Sequence, residues 1–371
     1  MSFGSLADEW DVVVVGAGLG GSVAARRLSE SGAKVLLVDR ATFPRGKVCG
    51  CCLGPMAMRT LEAFDVLPAL DTLKVARLTL ATPMATRSLA LGTTQTASRE
   101  QLDQVLVHRA EAAGATFVGG CTAKIDAAPP ASGSTTVGLR SGTNVANVRA
   151  KVIVDAAGLG SHRGATAGRT APYIGLGAML GEDTHGMGTD ELRMAATSRG
   201  YLGAAPLADG RATLAAALKR DAMHTAGARD VALHELADLI GIPLPAVAHA
   251  TFRGVPPVRV RQAAQTGNVF RVGDAARFVE PITGEGMGWA LAAGAAVTPH
   301  ILAHLRNASA RPTWPRALPT MLRKSQRRCA GVAALVHRPA VLGALLRLLP
   351  ATATSGIATA ASGRSTQWRP A

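Results

Sequence analysis

Aromatic residues are scarce, at 4% of 371 positions. That leaves no surface on which a run of bases could stack and argues against a nucleic-acid partner. Cysteines number only five, three of them crowded at Cys49, Cys51 and Cys52. The even, spaced framework of a disulfide-stapled secreted protein is therefore missing, and a reduced, cytoplasmic setting is expected. Cys-x-Cys-Cys has no matching downstream pair or histidine spacing, and Cys121 and Cys329 stand isolated, so no metal site is expected. Residues 1–10 lack a basic-then-apolar leader. The most apolar stretch, 286–297, ends at Thr298-Pro299-His300 and is too short to span a bilayer. Acids are also outnumbered: 25 Asp and Glu against 40 Lys and Arg leave a net charge of +15. Charge alone admits nucleic acid, an anionic membrane surface or anionic small ligands. The densest basic run, Arg323, Lys324, Arg327 and Arg328, carries no nucleic-acid motif and reads as a solvated helix face, with peripheral membrane contact as the alternative.

What is present is 48% hydrophobic content, enough for one large core or two closely packed ones. Residues 11–15, Asp-Val-Val-Val-Val, have the continuous apolar pattern of a parallel strand buried on both faces. Glycines follow at once. Val23, Ala24 and Leu28 recur at helical spacing up to Gly32, which suits the position just past a helix end. Residues 34–39 read as a second buried strand, completing a strand–helix–strand unit. Further along, 55–64 predicts a helix and 74–91 two strands. Ser98 caps a helix with apolar positions Leu102, Val105, Leu106 and Ala110. Short strands fill 116–154, and an antiparallel sheet with a helix at 229–240 fills 173–255. A buried strand returns at 268–272, and 284–305 and 315–336 are helical. No long linker divides the chain, so one fold is left and re-entered.

Gly16-Ala17-Gly18-Leu19-Gly20-Gly21 lies directly between strand and helix. Gly16 permits the tight turn, Gly18 lets a pyrophosphate approach the backbone, and Gly21 allows close helix–strand packing. The helix start offers free N–H groups to phosphates, and Asp39 stands at the end of the second strand, where an acid accepts ribose hydroxyls. A second constellation is Gly273-Asp274 after the returning strand, then 281–287, Pro-Ile-Thr-Gly-Glu-Gly-Met. The acid suits a polyol chain. The helix start at 284–288 suits the negative charge that a reduced flavin carries near N1 and O2. Glu285 reads there as a first-turn residue that complements the helix dipole.

These motifs resemble, in order, the FAD-dependent oxidoreductases of the p-hydroxybenzoate-hydroxylase-like superfamily, within it the geranylgeranyl-reductase-like branch. Residues 98–103 (Ser-Arg-Glu-Gln-Leu-Asp) and 155–163 (Asp-Ala-Ala-Gly-Leu-Gly-Ser-His-Arg) carry it too. The resemblance implies an α/β (α+β) fold: a Rossmann-like FAD-binding domain interleaved with an antiparallel-sheet substrate domain, and a helical C-terminus. FAD-binding parts fall at 8–72, 96–170 and 263–306, substrate-domain strands at 73–95, the substrate domain at 171–262 and the C-terminal helical region at 307–371. It places Gly16, Gly18 and Gly21 at the FAD pyrophosphate and Asp39 at the adenosine ribose. Arg99 falls at the phosphates or ribityl chain and Asp274 at the ribityl hydroxyls. Arg40, Lys47, Cys49, Gly50, Gly158, Gly284, Gly286 and Met287 complete the contacts of a non-covalent FAD. Residues 44–53, Pro-Arg-Gly-Lys-Val-Cys-Gly-Cys-Cys-Leu, are similar to that branch's loop beside the isoalloxazine.

Ala157 stands before Gly158 where the hydroxylases have Asp, so NAD(P)H or another reductant is expected as a transient donor that docks differently. The Trp-x-Trp-x-Ile-Pro and Tyr-x-Trp-x-Phe-Pro elements of halogenases and prenyl reductases are missing; 200–207 occupies their region. The leading expectation is a flavin monooxygenase that hydroxylates a lipophilic aromatic or isoprenoid-type small molecule. The alternative is reduction of carbon–carbon double bonds of the geranylgeranyl type. It draws on Lys47-Val48-Cys49-Gly50 and on a stripe at Leu342, Leu345, Leu346 and Leu349 beside Arg347. That stripe reads as core, with a lipid or membrane contact as its other reading. A catalytically degenerate flavin-binding scaffold is the third possibility. No general base stands out. Cys49 and Tyr201 are the catalytic candidates, His108 and His162 read as structural or surface residues, and no specific protein partner is expected.

Overall fold

The computed structural model describes residues 3, 6–125, 133–162, 172–182, 184–223, 227–255, 262–280, 282–309 and 311–348. Arg163, Pro281 and Leu349 lie outside the described residues. The strand Glu9–Val15 is the centre of the first sheet, paired in parallel with Val35–Val38 on one side and Asn144–Asp155 on the other. Val269–Arg271 and Thr116–Val118 extend the parallel core outward. Val12, Val13, Val14 and all of Val35–Val38 are buried, because helices cover one face and the strands Thr122–Ile125 and Thr135–Ser141 help close the other. A buried Val or Leu contributes about 1.5–3 kcal/mol, so this run alone pins the register. Helix Leu19–Glu30 lies on the sheet through Ala24, Ala25 and Leu28. It meets the long helix Gly286–Arg306 at two glycines: a Cβ on Gly294 would sit 2.2 Å from the Gly20 carbonyl oxygen. Pro299 lies inside that helix.

The second sheet runs Arg253–Val255, Tyr173–Leu180, Ala212–Lys219, Gly200–Pro206, Glu191–Thr197, Thr72–Thr82, Ala85–Ala97, Cys52–Leu53. It is antiparallel except where Glu191–Thr197 pairs in parallel with Thr72–Thr82. The sequence pattern predicts no parallel pair there, because the two strands are joined by the whole intervening excursion through the first sheet. Cys52–Leu53, grouped by sequence with the first FAD segment, pairs instead with Ala85–Ala97.

The two faces of this sheet differ in chemistry. One buries Leu176, Leu202, Leu214 and Leu218 against helix Ala228–Leu239. The register puts Gly177, Ala215, Gly203 and Met194 in one row of the other face, and Gly175, Ala217, Tyr201 and Ala196 in the next. Val48 of the cysteine-bearing loop packs against Gly177 on that small-residue floor, and Gly50 lies opposite Ala215.

Helices Trp314–Val336 and Pro339–Leu348 close the far end. Trp314 is fully buried and donates through Nε1 to the Arg271 carbonyl at 3.0 Å. Leu342 and Leu346 are core residues over the hairpin 72–97, whereas Leu345 is half-buried and Arg347 exposed. Among the described residues no single helix is long and apolar enough to cross a membrane.

Candidate functional site

The glycine turn tolerates no other residue at two of its three fingerprint positions. A Cβ on Gly16 (φ +105°) would lie 2.4 Å from the Ala156 carbonyl oxygen, and one on Gly21 only 1.8 Å from the Gly16 oxygen. Gly18 is different. A Cβ there would meet one neighbour, Arg45 Nη2 at 3.5 Å, so the turn opens on a space bounded by a guanidinium. Gly18 caps Leu19–Glu30 with no side-chain hydrogen bond, which leaves the first-turn N–H groups available to an anion. Asp39 braces this cradle: Oδ2 accepts from Ala17 N at 2.8 Å and Oδ1 from Ala41 N at 2.9 Å.

The sequence places Arg45 in the cysteine-bearing loop, near enough with Lys47 to depress a thiol pKa, but does not assign it to the glycine turn. Arg45 Nη2 stands 3.6 Å from Asp39 Oδ2 and 3.4 Å from Asp103 Oδ2, its guanidinium lies 5.0 Å over the Phe43 ring, and its Nε is buried without a partner. A guanidinium whose Nη2 bounds the Gly18 turn, beside a capless helix start, fits a dinucleotide pyrophosphate. Arg40 is exposed, with Nη1 3.8 Å from a Cβ position on Gly160, beside the turn Gly158–His162.

Arg99 is not a surface arginine. It is 5% exposed and bidentate to the fully buried Asp103 four residues on, with Nη2 2.9 Å from both carboxylate oxygens. The i,i+4 spacing was visible in the sequence but its burial was not. Ser98 caps this helix as expected, its Oγ accepting from Glu100 N at 3.2 Å. Lys47 reaches toward the same place: its Nζ is 3.9 Å from a Cβ position on Gly158, and Arg99, Asp274 and Asp103 act on its charge. Desolvation, then Arg99, pulls its ammonium below the usual lysine range. Lys47 is exposed and Cys49 half-buried.

The three loop cysteines titrate apart. A hydrogen bond from the Cys51 thiol, opposed by burial and aided by the Arg99 charge, lowers Cys49 to about 5. Cys51 is pushed up by that same bond and by burial. Burial, then the Cys49 charge, pushes Cys52 up to about 12. Cys51 N donates to Cys49 Sγ at 3.3 Å, and Cys51 takes a left-handed φ of 55° that turns the loop back on itself. Thr213 Oγ1 donates to the Cys49 carbonyl at 2.7 Å, tying the loop to the second sheet. The Cys49 thiolate therefore sits where the two sheets meet.

Gly284 (φ +74°) packs on Cys52, its Cβ position 2.9 Å from Cys52 Cβ, which brings the start of Gly286–Arg306 to this loop. Asp274 lies in the turn Gly273–Ala275 and raises the charge affinity of Lys47; beside it opens a cleft of about 270 Å³ lined also by Trp289, Leu318 and Gln326. The Met287 side chain is buried among Leu19, Leu53 and Leu291, which leaves its backbone to face a ligand. Glu285 is the residue that caps the helix, not one inside its first turn, and is 4% exposed. Burial, against Arg328 and Thr283, raises its carboxyl to about 7. Tyr201 belongs to another cluster. It is buried near His337 (ring centroids 6.0 Å), which pairs with Glu280 at 3.0 Å and stacks on Tyr173. Burial and the Glu280 carboxylate hold the Tyr201 phenol well above its ordinary range. His108 is a surface residue hydrogen-bonded to Gln104, and the surroundings of the His162 side chain lie outside the described residues.

The sequence profile of the lycopene cyclase protein family matches residues 11–337. This chain belongs to that family. Among curated relatives of this lycopene cyclase family member, it is similar to the menaquinone reductase of Mycolicibacterium smegmatis, 48% identical over 62 residues. That stretch is 17% of this chain and only 15% of the reductase. A longer likeness, 28% identical over 307 residues, covers 77% of the chain and 78% of digeranylgeranylglycerophospholipid reductase 1 of Methanopyrus kandleri. The fold is that of a flavoprotein/dehydrogenase from Cytophaga hutchinsonii (TM-score 0.79, 15% identity, 96% of this chain and 93% of that one). It is also that of a geranylgeranyl bacteriochlorophyll reductase-like protein from Thermoplasma acidophilum (TM-score 0.69, 20% identity, 94% and 90%). These likenesses support the FAD-dependent oxidoreductase family that the motifs resemble.

Proposed function

We propose that this protein is a reductase that uses FAD to saturate carbon–carbon double bonds of an isoprenoid lipid. The observation that carries the reading is the placement of Cys49 at the junction of the two sheets, its Sγ accepting from Cys51 N and its carbonyl from Thr213, where Cys51 and the Arg99 charge hold its thiol well below the ordinary range. A thiolate is the first group a peroxide-type oxidant consumes, so a site built around one suits hydride delivery better than oxygen insertion. The names of the two reductase relatives support the same substrate class.

In this reading Gly16, Gly18, Gly21 and the first-turn N–H groups hold the pyrophosphate with Arg45, while Asp39 takes the ribose. Lys47 and Asp274 bind nearer the ring, with Gly158, Gly284 and Gly286 shaping the backbone around it. When bound and reduced by an external donor, the flavin would supply the hydride. The loop covers the small-residue floor at Gly177 and Ala215 and leaves Gly203 beside it, where an apolar chain would lie. Saturation also consumes a proton. Glu285, half protonated near neutral pH and placed at the helix start that Gly284 packs against Cys52, is the carboxyl able to release one.

The test uses FAD-loaded protein, reduced under anaerobic conditions with dithionite, NADH or NADPH in turn, and then given a lipid with a geranylgeranyl chain. The expected product gains one hydrogen molecule per double bond as the flavin reoxidises. Flavin reoxidation that requires O2, with oxygen incorporated into the lipid, would replace the reductase by a hydroxylase. A flavin that no lipid and no O2-coupled substrate reoxidises would leave a binding scaffold.

A further inference from the structure

We infer that the outer face of helix Pro339–Leu348, together with Met84, docks on the surface of an anionic lipid bilayer. The helix reads Pro-Ala-Val-Leu-Gly-Ala-Leu-Leu-Arg-Leu, with Arg347 its one charged residue. Leu342, Gly343 and Leu346 are buried. A Cβ on Gly343 would meet Thr82 Oγ1 at 2.8 Å and Met84 Cβ at 2.9 Å, so this side is seated on the hairpin tip.

The opposite side is equally apolar. Val341, Leu345 and Leu348 follow at i, i+4 and i+7, with Val341 49% and Leu348 79% exposed, and the neighbouring Met84 is 50% exposed. A helix that is apolar all round belongs in a core or in a membrane. Here one side has the core and the other faces outward.

Charge selects the occupant. From Gly286 to Ala371 there is no Asp or Glu, against eleven Arg and Lys. Arg323, Lys324 and Arg327 are exposed on the adjoining helix, and Arg338 and Arg347 flank the apolar stripe. A second copy of this chain would bring like charges together at the contact, whereas phosphate headgroups neutralise them and acyl chains receive the stripe. Among the described residues the two helices reach the length and apolarity of a span only as a pair bent by 94°, and Arg323, Lys324, Arg327 and Arg328 lie within the first of them, so we place the contact on the bilayer surface. The inference does not depend on which reaction the flavin performs.

Sedimentation of the full-length, FAD-loaded protein with phosphatidylcholine vesicles, with and without phosphatidylglycerol, tests it. The wild type is expected to sediment with the anionic vesicles and to dissociate as salt rises. V341E/L348E and, separately, R323Q/K324Q/R327Q are expected to bind at least about tenfold more weakly. Bound FAD and the thermal midpoint report whether each variant is folded; the basic triple lies on exposed positions and retains the apolar face, so it tests the idea even where the double variant does not fold. Wild type that stays in the supernatant at low salt overturns the proposal, as does equal sedimentation of wild type and the folded variants. A dimer in gel filtration that V341E/L348E dissolves overturns it too, since a second copy would then cover the face.

Discussion

Replacing Cys51 by Ala removes the hydrogen bond that contributes most to the low pKa of Cys49. A hydrogen bond to a charged group is worth about 1.5–3 kcal/mol, and about 1.4 kcal/mol corresponds to one pH unit. The titration of Cys49, near 5 in the wild type, should therefore rise by about one to two pH units in C51A. Arg99 and its Asp103 partner remain in place and keep Cys49 below an ordinary thiol. The assay is the rate of carbamidomethylation of Cys49 by iodoacetamide against pH, read by peptide mass mapping so that Cys52 is counted separately. In the wild type the rate should level off above about pH 6, roughly one unit beyond the titration midpoint. In C51A the plateau should move up accordingly. The sign carries over to stability: the folded pKa lies below the unfolded value of about 8.5. The thiolate thus stabilises the fold fully above about pH 8.5 and loses that contribution as pH falls toward about 5. A C51A profile superimposed on that of the wild type would refute the account of the site.

Other perturbations separate the cofactor cradle from the fold around it. G18A, whose new methyl group meets only Arg45 Nη2 at 3.5 Å, should fold like the wild type yet bind FAD at least about tenfold more weakly in flavin-fluorescence titration. G21A, with its Cβ 1.8 Å from a carbonyl oxygen, should lose both flavin and thermal stability. R45Q removes a charge-assisted contact and should weaken FAD binding about tenfold to a hundredfold in the same titration, with little change in melting of the apoprotein. Glu285 reverses the sign argued for Cys49: its folded pKa of about 7 lies above the unfolded value, so stability should fall as pH climbs from about 4.3 to about 7. E285Q should flatten that slope in melts recorded across the window; an unchanged slope would remove Glu285 as its cause.

Local chemistry was legible wherever neighbouring residues decide it. The valine run, the glycine spacing and Asp39 follow one another within a single strand–helix–strand unit, so sterics and burial period sufficed to place the cradle. The same holds for Ser98 as a cap and for Gly32 at a helix end. Leu342 and Leu346 were readable as core from spacing, while the outward turn of Val341 and Leu348 was not, since an apolar pattern does not say which of two apolar sides is covered.

What the tertiary structure alone decided depends on contacts between distant residues. The parallel pairing of Glu191–Thr197 with Thr72–Thr82 joins strands more than a hundred residues apart, and the Gly20–Gly294 crossing joins two helices at the ends of the FAD fold. Arg45 became a cradle residue because the loop carries it to Gly18, and Arg99 became buried because Asp103 and Cys49 surround it. Charge states follow burial and partners, which no window of sequence contains. The amino-acid order by itself determined the glycine turn and the acid that a dinucleotide would need; folding determined which cations face that turn, which cysteine is the most acidic, and where the apolar end of the chain is left uncovered.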